Sequence, residues 1–339
     1  MRRPFLASVM ILLASAASGA EICVTDSIRP AEGASPKQRA FLHDACWKPA
    51  AFTMAVKETK NPAPYQADAL ITFPSPKPGG TPQRDLVTAH WYKARDAGGN
   101  LIPAGAPCVV VVHSLHPDMA DGLILSRMLA RNGVHALMVE LPGFGSRKTE
   151  PDKGAGVEMT EHGAQSVADV RRARDAACAL PGVKKGAPVA IEGLSLGSMV
   201  ASAAAGLDNA FSPVVLVVGG GDPVTVLEKG RFDAAWLRDR LAKSGHTGAK
   251  LRTLLDPIDP LLVAGRINPD HCWMYRAAAD GVFPKECGDR LEKTIGLPAA
   301  HVTTKPGNHY AAMTWLPEIA GFIAREAKRN AQGPAANPH

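Results

Sequence analysis

Residues 189–206 read V-A-I-E-G-L-S-L-G-S-M-V-A-S-A-A-A-G. Val189, Ala190 and Ile191 suit a buried strand, and the small residues that follow Ser195 are typical of a closely packed helix. A glycine stands two residues before and two residues after this serine. Glycine allows a strand and a helix to pass closely around a sharp turn. The stretch therefore predicts a strand, a turn and a helix, with the serine hydroxyl presented at the turn.

Strands and helices alternate along the chain on both sides of this stretch. The run P-C-V-V-V-V-H at 107–113 is typical of a strand buried on both faces of a parallel sheet. Helical periodicity follows at 119–132 and again at 167–180, and glycine or proline comes directly after each segment. The pattern predicts an α/β fold with a mostly parallel central sheet and helices on both faces. In such a fold the reactive groups collect at the carboxyl ends of the strands.

The remaining segments divide the chain around this α/β core, which we assign to 67–222 and 271–329. Residues 21–66 have weak periodicity and many prolines, and we interpret them as an N-terminal arm. Residues 223–270 interrupt the alternation with helical material, which predicts a small helical cap insertion over the reactive edge; the alternative is a helix pair that only packs. Residues 330–339 are polar and are predicted to be a flexible tail.

The first 20 residues and the net charge bear on location and partners. Two arginines precede an apolar run from Phe5 to Ala17, and small residues close the segment. This predicts a signal peptide (1–20) cleaved after Ala20, and a periplasmic or extracellular location. The run is too short to span a membrane, and no later segment has about 18 consecutive apolar residues. The net charge of +6 is too mild and scattered to indicate nucleic-acid binding.

An exported protein can form disulfide bonds, and the chain has six cysteines. Pairing of Cys23 with Cys46 would fix the arm, and pairing of Cys272 with Cys287 would brace the loop between them. The other two cysteines lie in apolar settings, where free buried thiols are an equally good interpretation. No C-x-x-C pair is present, so the cysteines do not indicate a zinc site.

Ser195 needs two partners before its hydroxyl can act as a nucleophile. A base must take its proton, and an acceptor behind the base must hold the base in one tautomer. His309, in the glycine-flanked stretch P-G-N-H-Y after the last predicted strand, is the best base. The best acceptor is Asp280, which follows the penultimate strand. The competing carboxylates are Asp222, after the preceding strand, and Asp256 and Asp259, in the cap.

Taken together these features resemble the α/β-hydrolase family over roughly 67–328. The resemblance is carried by the strand ending in His113, the turn E-L-P-G-F-G at 140–145, the elbow G-L-S-L-G, the loop A-D-G-V-F-P and the stretch G-N-H. The order serine, acid, histidine is also the order of the family. The resemblance implies a catalytic triad of Ser195, Asp280 and His309.

The resemblance also implies an oxyanion hole made by two backbone N–H groups. One belongs to Leu196, directly after the nucleophile, and the other to the loop after the first buried strand, where we choose Leu115. The family usually carries glycine after the histidine of this loop, and here the residue is Ser114. His113-x-x-His116 is half of a metal-binding pattern, but no third ligand stands at a matching spacing.

The combined prediction is a secreted serine hydrolase that cleaves carboxylic esters through an acyl-enzyme intermediate. It would act on a small-molecule or polymer-derived ester and would need neither cofactor nor metal. Two alternatives stay open: an exopeptidase or amidase on the same fold, and a hydrolase-fold protein that binds ligands without catalysis. The sequence does not indicate an oligomeric state.

Overall fold

The structure, a computed structural model, describes residues 19–30, 32–63, 66–149 and 155–332. The predicted signal peptide lies outside these ranges except for its last two residues, and so do residues 333–339 of the predicted tail. The final helix continues to Gln332, so the start of the segment predicted to be flexible is helical.

A ten-stranded sheet forms the centre of the described part of the chain. The strands are β1 (Ala20–Thr25), β2 (Ala51–Glu58), β3 (Ala69–Pro74), β4 (Leu86–Tyr92), β5 (Cys108–Val112), β6 (His135–Val139), β7 (Val189–Leu194), β8 (Phe211–Val217), β9 (Cys272–Ala277) and β10 (Val302–Lys305). They lie in the order β1-β2-β3-β4-β6-β5-β7-β8-β9-β10. The strands from β6 to β10 in this order are parallel, whereas β1 to β4 and the β4–β6 pair are antiparallel.

Helices cover both faces of the sheet. They are α1 (Pro36–Ala45), α2 (Pro82–Asp85), α3 (Ala120–Arg131), α4 (Ala155–Glu161), α5 (Gly163–Ala179), α6 (Leu196–Asp208), α7 (Pro223–Lys229), α8 (Asp233–Lys243), α9 (Gly248–Leu255), α10 (Lys285–Ile295) and α11 (Ala312–Gln332). Helices α3 and α11 pack on each other, and α5 and α6 form a second pair. Strands β5, β6 and β7 between them are buried along their whole length, which explains the continuous apolar run of β5. The predicted mostly parallel α/β fold is confirmed.

The segment predicted as an arm contributes two strands to the sheet in addition to the expected helix α1. Strand β1 pairs with β2, and β2 pairs with β3, so residues 20–58 extend the antiparallel edge. Asp26, directly after β1, forms an ion pair of 2.5 Å with Arg172 of α5. The description of this segment as an irregular arm was therefore incomplete, because its strands are integral to the sheet.

The segment predicted as a cap contains α7, α8 and α9, followed by a series of short 3₁₀ turns up to His271. Helix α4, which comes from the connection between β6 and α5, packs against α8 and α9. The helical layer beside the strand ends is thus assembled from two separate parts of the chain. No helix in the described ranges is long and apolar enough to cross a membrane.

Candidate functional site

Ser195 lies at the turn between β7 and α6, in a backbone conformation that is rare for a residue with a side chain. Its φ is 58° and its ψ is −117°. A Cβ at Gly193 would collide with the carbonyl of Gly197, and a Cβ at Gly197 would collide with the carbonyl of Val112. The two glycines are therefore required by close backbone approach, and the predicted elbow is present. Helix α6 begins at Leu196, directly after the serine.

The structure brings the three predicted side chains together. His309 Nε2 lies 2.9 Å from Ser195 Oγ. On the other side of the ring, His309 Nδ1 lies 2.9 Å from Asp280 Oδ2 and 3.0 Å from Oδ1. With Nδ1–H donating to the carboxylate, Nε2 is left as the acceptor for the serine O–H. Ser195 and His309 are 6% and 5% exposed, so these hydrogen bonds are shielded from water.

Two loops hold the imidazole and the carboxylate in place. Asp280 Oδ1 accepts the backbone N–H groups of Val282 and Phe283, each at 2.9 Å. The Phe283 ring stacks on the His309 ring at 5.9 Å with an angle of 11° between the planes. The Tyr310 ring packs edge-on against the same imidazole at 5.6 Å. The triad therefore rests on backbone donors and ring packing at the carboxyl ends of β9 and β10.

Two of the three competing carboxylates, Asp222 and Asp259, have other partners, and the third, Asp256, begins the 3₁₀ turn after α9. Asp222 caps α7 by accepting the N–H of Thr225 at 3.0 Å, and it also contacts Arg290. Asp259 accepts the N–H groups of Asp222 at 3.1 Å and Leu261 at 3.0 Å. Among the described residues, Asp280 is the carboxylate that contacts the His309 ring.

Two backbone N–H groups beside Ser195 have no hydrogen-bond acceptor within the described part of the chain. They belong to Leu196 and Leu115, the two residues chosen from the sequence. Leu196 is the first residue of α6, where N–H groups have no partner inside the helix. Both leucines border the same apolar cavity as Ser195. Free backbone donors at such a place can receive negative charge that develops on a ligand oxygen.

The loop that carries Leu115 is fixed by Asp121, in the first turn of α3. The N–H of Ser114 donates to Asp121 Oδ2 at 2.8 Å, and its hydroxyl donates to Oδ1 at 3.0 Å. The substitution of the usual glycine therefore adds an anchor to this loop. The role of Asp121 was not predicted, although an acidic residue in the first turn of the following helix was the available signal.

His113 links the same loop to a neighbouring segment of the chain through two hydrogen bonds of its ring. Its Nδ1–H donates to the carbonyl of Ser114 at 2.7 Å, and its Nε2 accepts the N–H of Leu141 at 3.2 Å. Burial lowers the pKa of His113, which is consistent with this neutral form. His116 instead pairs with the exposed Asp118 at 2.5 Å. Both histidines of the H-x-x-H pattern thus have partners within the loop or its neighbours.

All six cysteines are free thiols, so the two predicted disulfide bonds are not formed. Cys272 begins β9 and pairs in register with Val214, near the start of β8. Cys287 packs against Gly220, beyond the far end of β8. The two cysteines therefore lie toward opposite ends of the strands, and a disulfide requires Cα atoms within about 7 Å. Cys23 is exposed on the edge strand β1, whereas Cys46 is half-buried after α1.

Comparisons with known proteins bear on the fold. No protein-family model matches the chain, and no curated protein matches its sequence. Among solved structures, an acetyl xylan esterase from Paenibacillus sp. R4 is similar with a TM-score of 0.56 and 16% identity, over 86% of this chain and 96% of the esterase. A cold-adapted esterase from an Arctic intertidal metagenomic library is similar with a TM-score of 0.51 and 15% identity, over 80% and 97%.

A third similar structure is a puromycin-hydrolyzing peptidase of Mycobacterium tuberculosis, with a TM-score of 0.55 and 13% identity. The match covers 83% of this chain but only 46% of the peptidase, so this chain spans less than half of that protein. The sheet order, the serine elbow and the structural likeness agree with one another. This chain has the α/β-hydrolase fold.

Proposed function

We propose that the protein is a secreted serine hydrolase that cleaves carboxylic esters through an acyl-enzyme intermediate. The observation that carries this proposal is the continuous chain of hydrogen bonds from Asp280 through His309 to Ser195, with distances of 2.9 Å at each step. A serine, an imidazole and a carboxylate in this order form the arrangement that activates a hydroxyl. The proposed export rests on the basic, apolar and small-residue pattern of residues 1–20.

In the proposed reaction, Ser195 Oγ attacks the ester carbonyl carbon while His309 Nε2 takes the hydroxyl proton. The negative charge that develops on the carbonyl oxygen is received by the N–H groups of Leu196 and Leu115. His309 then gives the proton to the alcohol oxygen, and the bond between that oxygen and the acyl carbon breaks. A water molecule, deprotonated by the same nitrogen, hydrolyses the acyl-enzyme and regenerates the serine. Asp280 stabilises the imidazolium in both steps.

The decisive experiment is replacement of the serine at the elbow. Ser195→Ala should lower kcat/KM for a chromogenic acetate ester by about 10⁴-fold or more, because the nucleophile is lost. The melting temperature should change little, since the hydroxyl contributes no buried network beyond His309. A fluorophosphonate probe should label the wild-type protein at Ser195 and leave the variant unlabelled.

Ser198→Ala is the matched control, because this serine lies in the first turn of α6, directly after the elbow, and its Oγ has no hydrogen-bond partner among the described residues. We expect the control to keep its activity and its labelling. Turnover that survives in Ser195→Ala would exclude the mechanism. Hydrolysis of aminoacyl amides in preference to acyl esters would identify the protein as an amidase or peptidase, and a folded wild-type protein without labelling would indicate a binding protein.

A further inference from the structure

Two cavities meet at Ser195, and they differ in size and in the chemistry of their walls. The smaller has a volume of about 50 Å³ and is lined mainly by aliphatic side chains, including Leu196, Met199 and Leu237. The larger has a volume of about 210 Å³ and includes His309 and Tyr310. Asp233 borders both cavities. Its carboxylate hydrogen-bonds the side chain of Tyr310, which borders the larger cavity.

The position of His309 determines which part of an ester enters each cavity. His309 borders the larger cavity and does not border the smaller one. The alcohol oxygen must lie within hydrogen-bond reach of the imidazole to receive a proton as it leaves. The alcohol group therefore occupies the larger cavity. The acyl chain, on the other side of the carbonyl carbon, extends into the smaller one.

The smaller cavity leaves room for only a short chain. An apolar cavity of about 150 Å³ accommodates benzene, whereas this one has about 50 Å³. Its walls are tightly packed: Met199, Leu237 and Leu255 are 3%, 6% and 2% exposed. Leu237 belongs to α8 and Leu255 to α9, so the helical layer forms part of the wall of the cavity.

We infer that the site selects esters of two- or three-carbon acids and accepts a larger alcohol group. This inference rests on the proposed function and specifies its substrate class. The alcohol cavity supports it, because Tyr310 and Met313 at its rim are 46% and 39% exposed and are available to contact a bulky group. Longer acyl chains would have to displace buried leucines of the helical layer.

A series of p-nitrophenyl esters from acetate to octanoate tests the inference. If the chain fitted an extended apolar pocket, each added methylene would raise kcat/KM by roughly fourfold. We expect instead a maximum at acetate or propionate and a fall of at least about tenfold by hexanoate, because the added carbons do not fit. A continuous rise in kcat/KM through hexanoate would overturn the inference.

Enlargement of the small cavity provides the second arm. Leu237→Ala should move the maximum to butyrate or hexanoate, because truncation of a buried leucine leaves a cavity that the added carbons can fill. Leu241→Ala is the matched control, since Leu241 is one turn further along α8, fully buried and outside the cavity wall. We expect the control to keep the wild-type chain-length preference. If Leu237→Ala does not fold, Leu255→Ala truncates a second buried leucine that lines the same cavity.

The outcomes separate this inference from the proposed function. Probe labelling at Ser195 together with a preference for long acyl chains would overturn the acyl-length inference and leave the serine hydrolase in place. Absence of both labelling and turnover of every ester would overturn the two together. If Leu237→Ala and Leu241→Ala shifted the preferred acyl-chain length equally, the preference would depend on the stability of α8. This result would contradict the assignment of the acyl chain to the smaller cavity.

Discussion

Two polar clusters in this molecule are largely buried and are built from similar side chains. They differ in whether hydrogen-bond donors are left without an acceptor among the described residues. In the first, here called the arm network, Asp26 and Ser27 bind α5 through Arg172, Arg171 and Asp175. Asp26 alone accepts two N–H groups from the Arg172 guanidinium, the indole N–H of Trp47 and the N–H of Ala50. The second cluster is the triad with its neighbouring backbone donors.

The arm network has little capacity left for a ligand. Arg171 is fully buried and binds both Asp175 at 3.1 Å and Asp208 at 2.7 Å. At the triad, by contrast, the N–H groups of Leu115 and Leu196 have no acceptor among the described residues. Buried polar groups are normally paired, so unpaired donors beside a paired triad need an explanation. The first cluster thus has its polar groups paired within the fold, whereas the second keeps two free donors, which the proposed function assigns to a substrate oxygen.

Among the substitutions that test this comparison, the largest expected effect is a loss of stability on substitution in the arm network. Asp26→Ala should lower the free energy of unfolding by about 3–5 kcal/mol, because it leaves the Arg172 charge buried without its partner. Asp26 is fully buried and Arg172 is 6% exposed at the side chain. Chemical denaturation measures the loss, and kcat/KM of the folded variant should stay close to the wild-type value.

Glu58→Ala is the control for the arm network, since Glu58 forms an ion pair with Lys93 on the same sheet edge but is 58% exposed. Loss of a surface pair of this kind should cost less than about 1 kcal/mol. If Asp26→Ala were as stable as this control, the arm network would not hold the edge strands. If Asp26→Ala lost activity while remaining stable, the separation of roles between the two clusters would be wrong.

A smaller effect is expected at the loop that carries Leu115, the second donor of the proposed oxyanion hole. Asp121→Asn weakens the two hydrogen bonds to Ser114 and should lower kcat by about 10- to 100-fold. This decrease in kcat is no larger than the one expected when a whole oxyanion donor is removed. The KM should change little, because substrate contacts with the cavity walls remain. Asp118→Asn is the control, since Asp118 lies in the same loop and is 66% exposed at the side chain.

Steady-state kinetics of both variants measure this effect, with thermal melts to separate it from unfolding. An increase in KM with unchanged kcat in Asp121→Asn would contradict a role in positioning the donor. An equal loss of kcat in Asp118→Asn would indicate that the whole loop has been disturbed. The first result would place Leu115 outside the group of residues that recognise the transition state, and the second would show that Asp121 has no position-specific role.

The sequence predicted the elbow and the triad well because local backbone rules determine them. Close approach of strand and helix requires the glycines around Ser195, and parallel strands place the residues that follow them at one edge. Asp280 and His309 were accessible for that reason. They follow β9 and β10, the last two strands of the alternation.

The edge strands and the arm network could not be predicted in the same way. Strand β1 has one fully buried residue and β2 has three, so their apolar signal is weak compared with that of β5. The bond between Asp26 and Arg172 joins residues 146 positions apart, and no local pattern marks either residue. Asp121 was missed for a related reason, because its role depends on a loop conformation that the sequence does not specify.

The smallest predicted effect concerns a histidine on the structural side of the comparison. His135 Nδ1 accepts the indole N–H of Trp91 at 3.3 Å and the N–H of Ala94 at 3.2 Å. His309 Nε2, by contrast, contacts the Ser195 hydroxyl, whose proton it takes in the proposed reaction. Burial lowers the pKa of His135 from 6.5 to about 4. Between these values the unfolded chain binds more protons than the folded one, so stability falls as the pH falls from 6.5 toward 4.

His135→Gln keeps an acceptor oxygen and removes the titrating group. We expect the variant to have a lower melting temperature at pH 7, because the amide fits the two donors less well. Its melting temperature should then fall less than that of the wild type between pH 6.5 and pH 4. Equal slopes in the two proteins would show that this imidazole does not contribute to acid sensitivity. A smaller slope in the variant would confirm that this imidazole, which serves as a buried acceptor, contributes to the acid sensitivity of the fold.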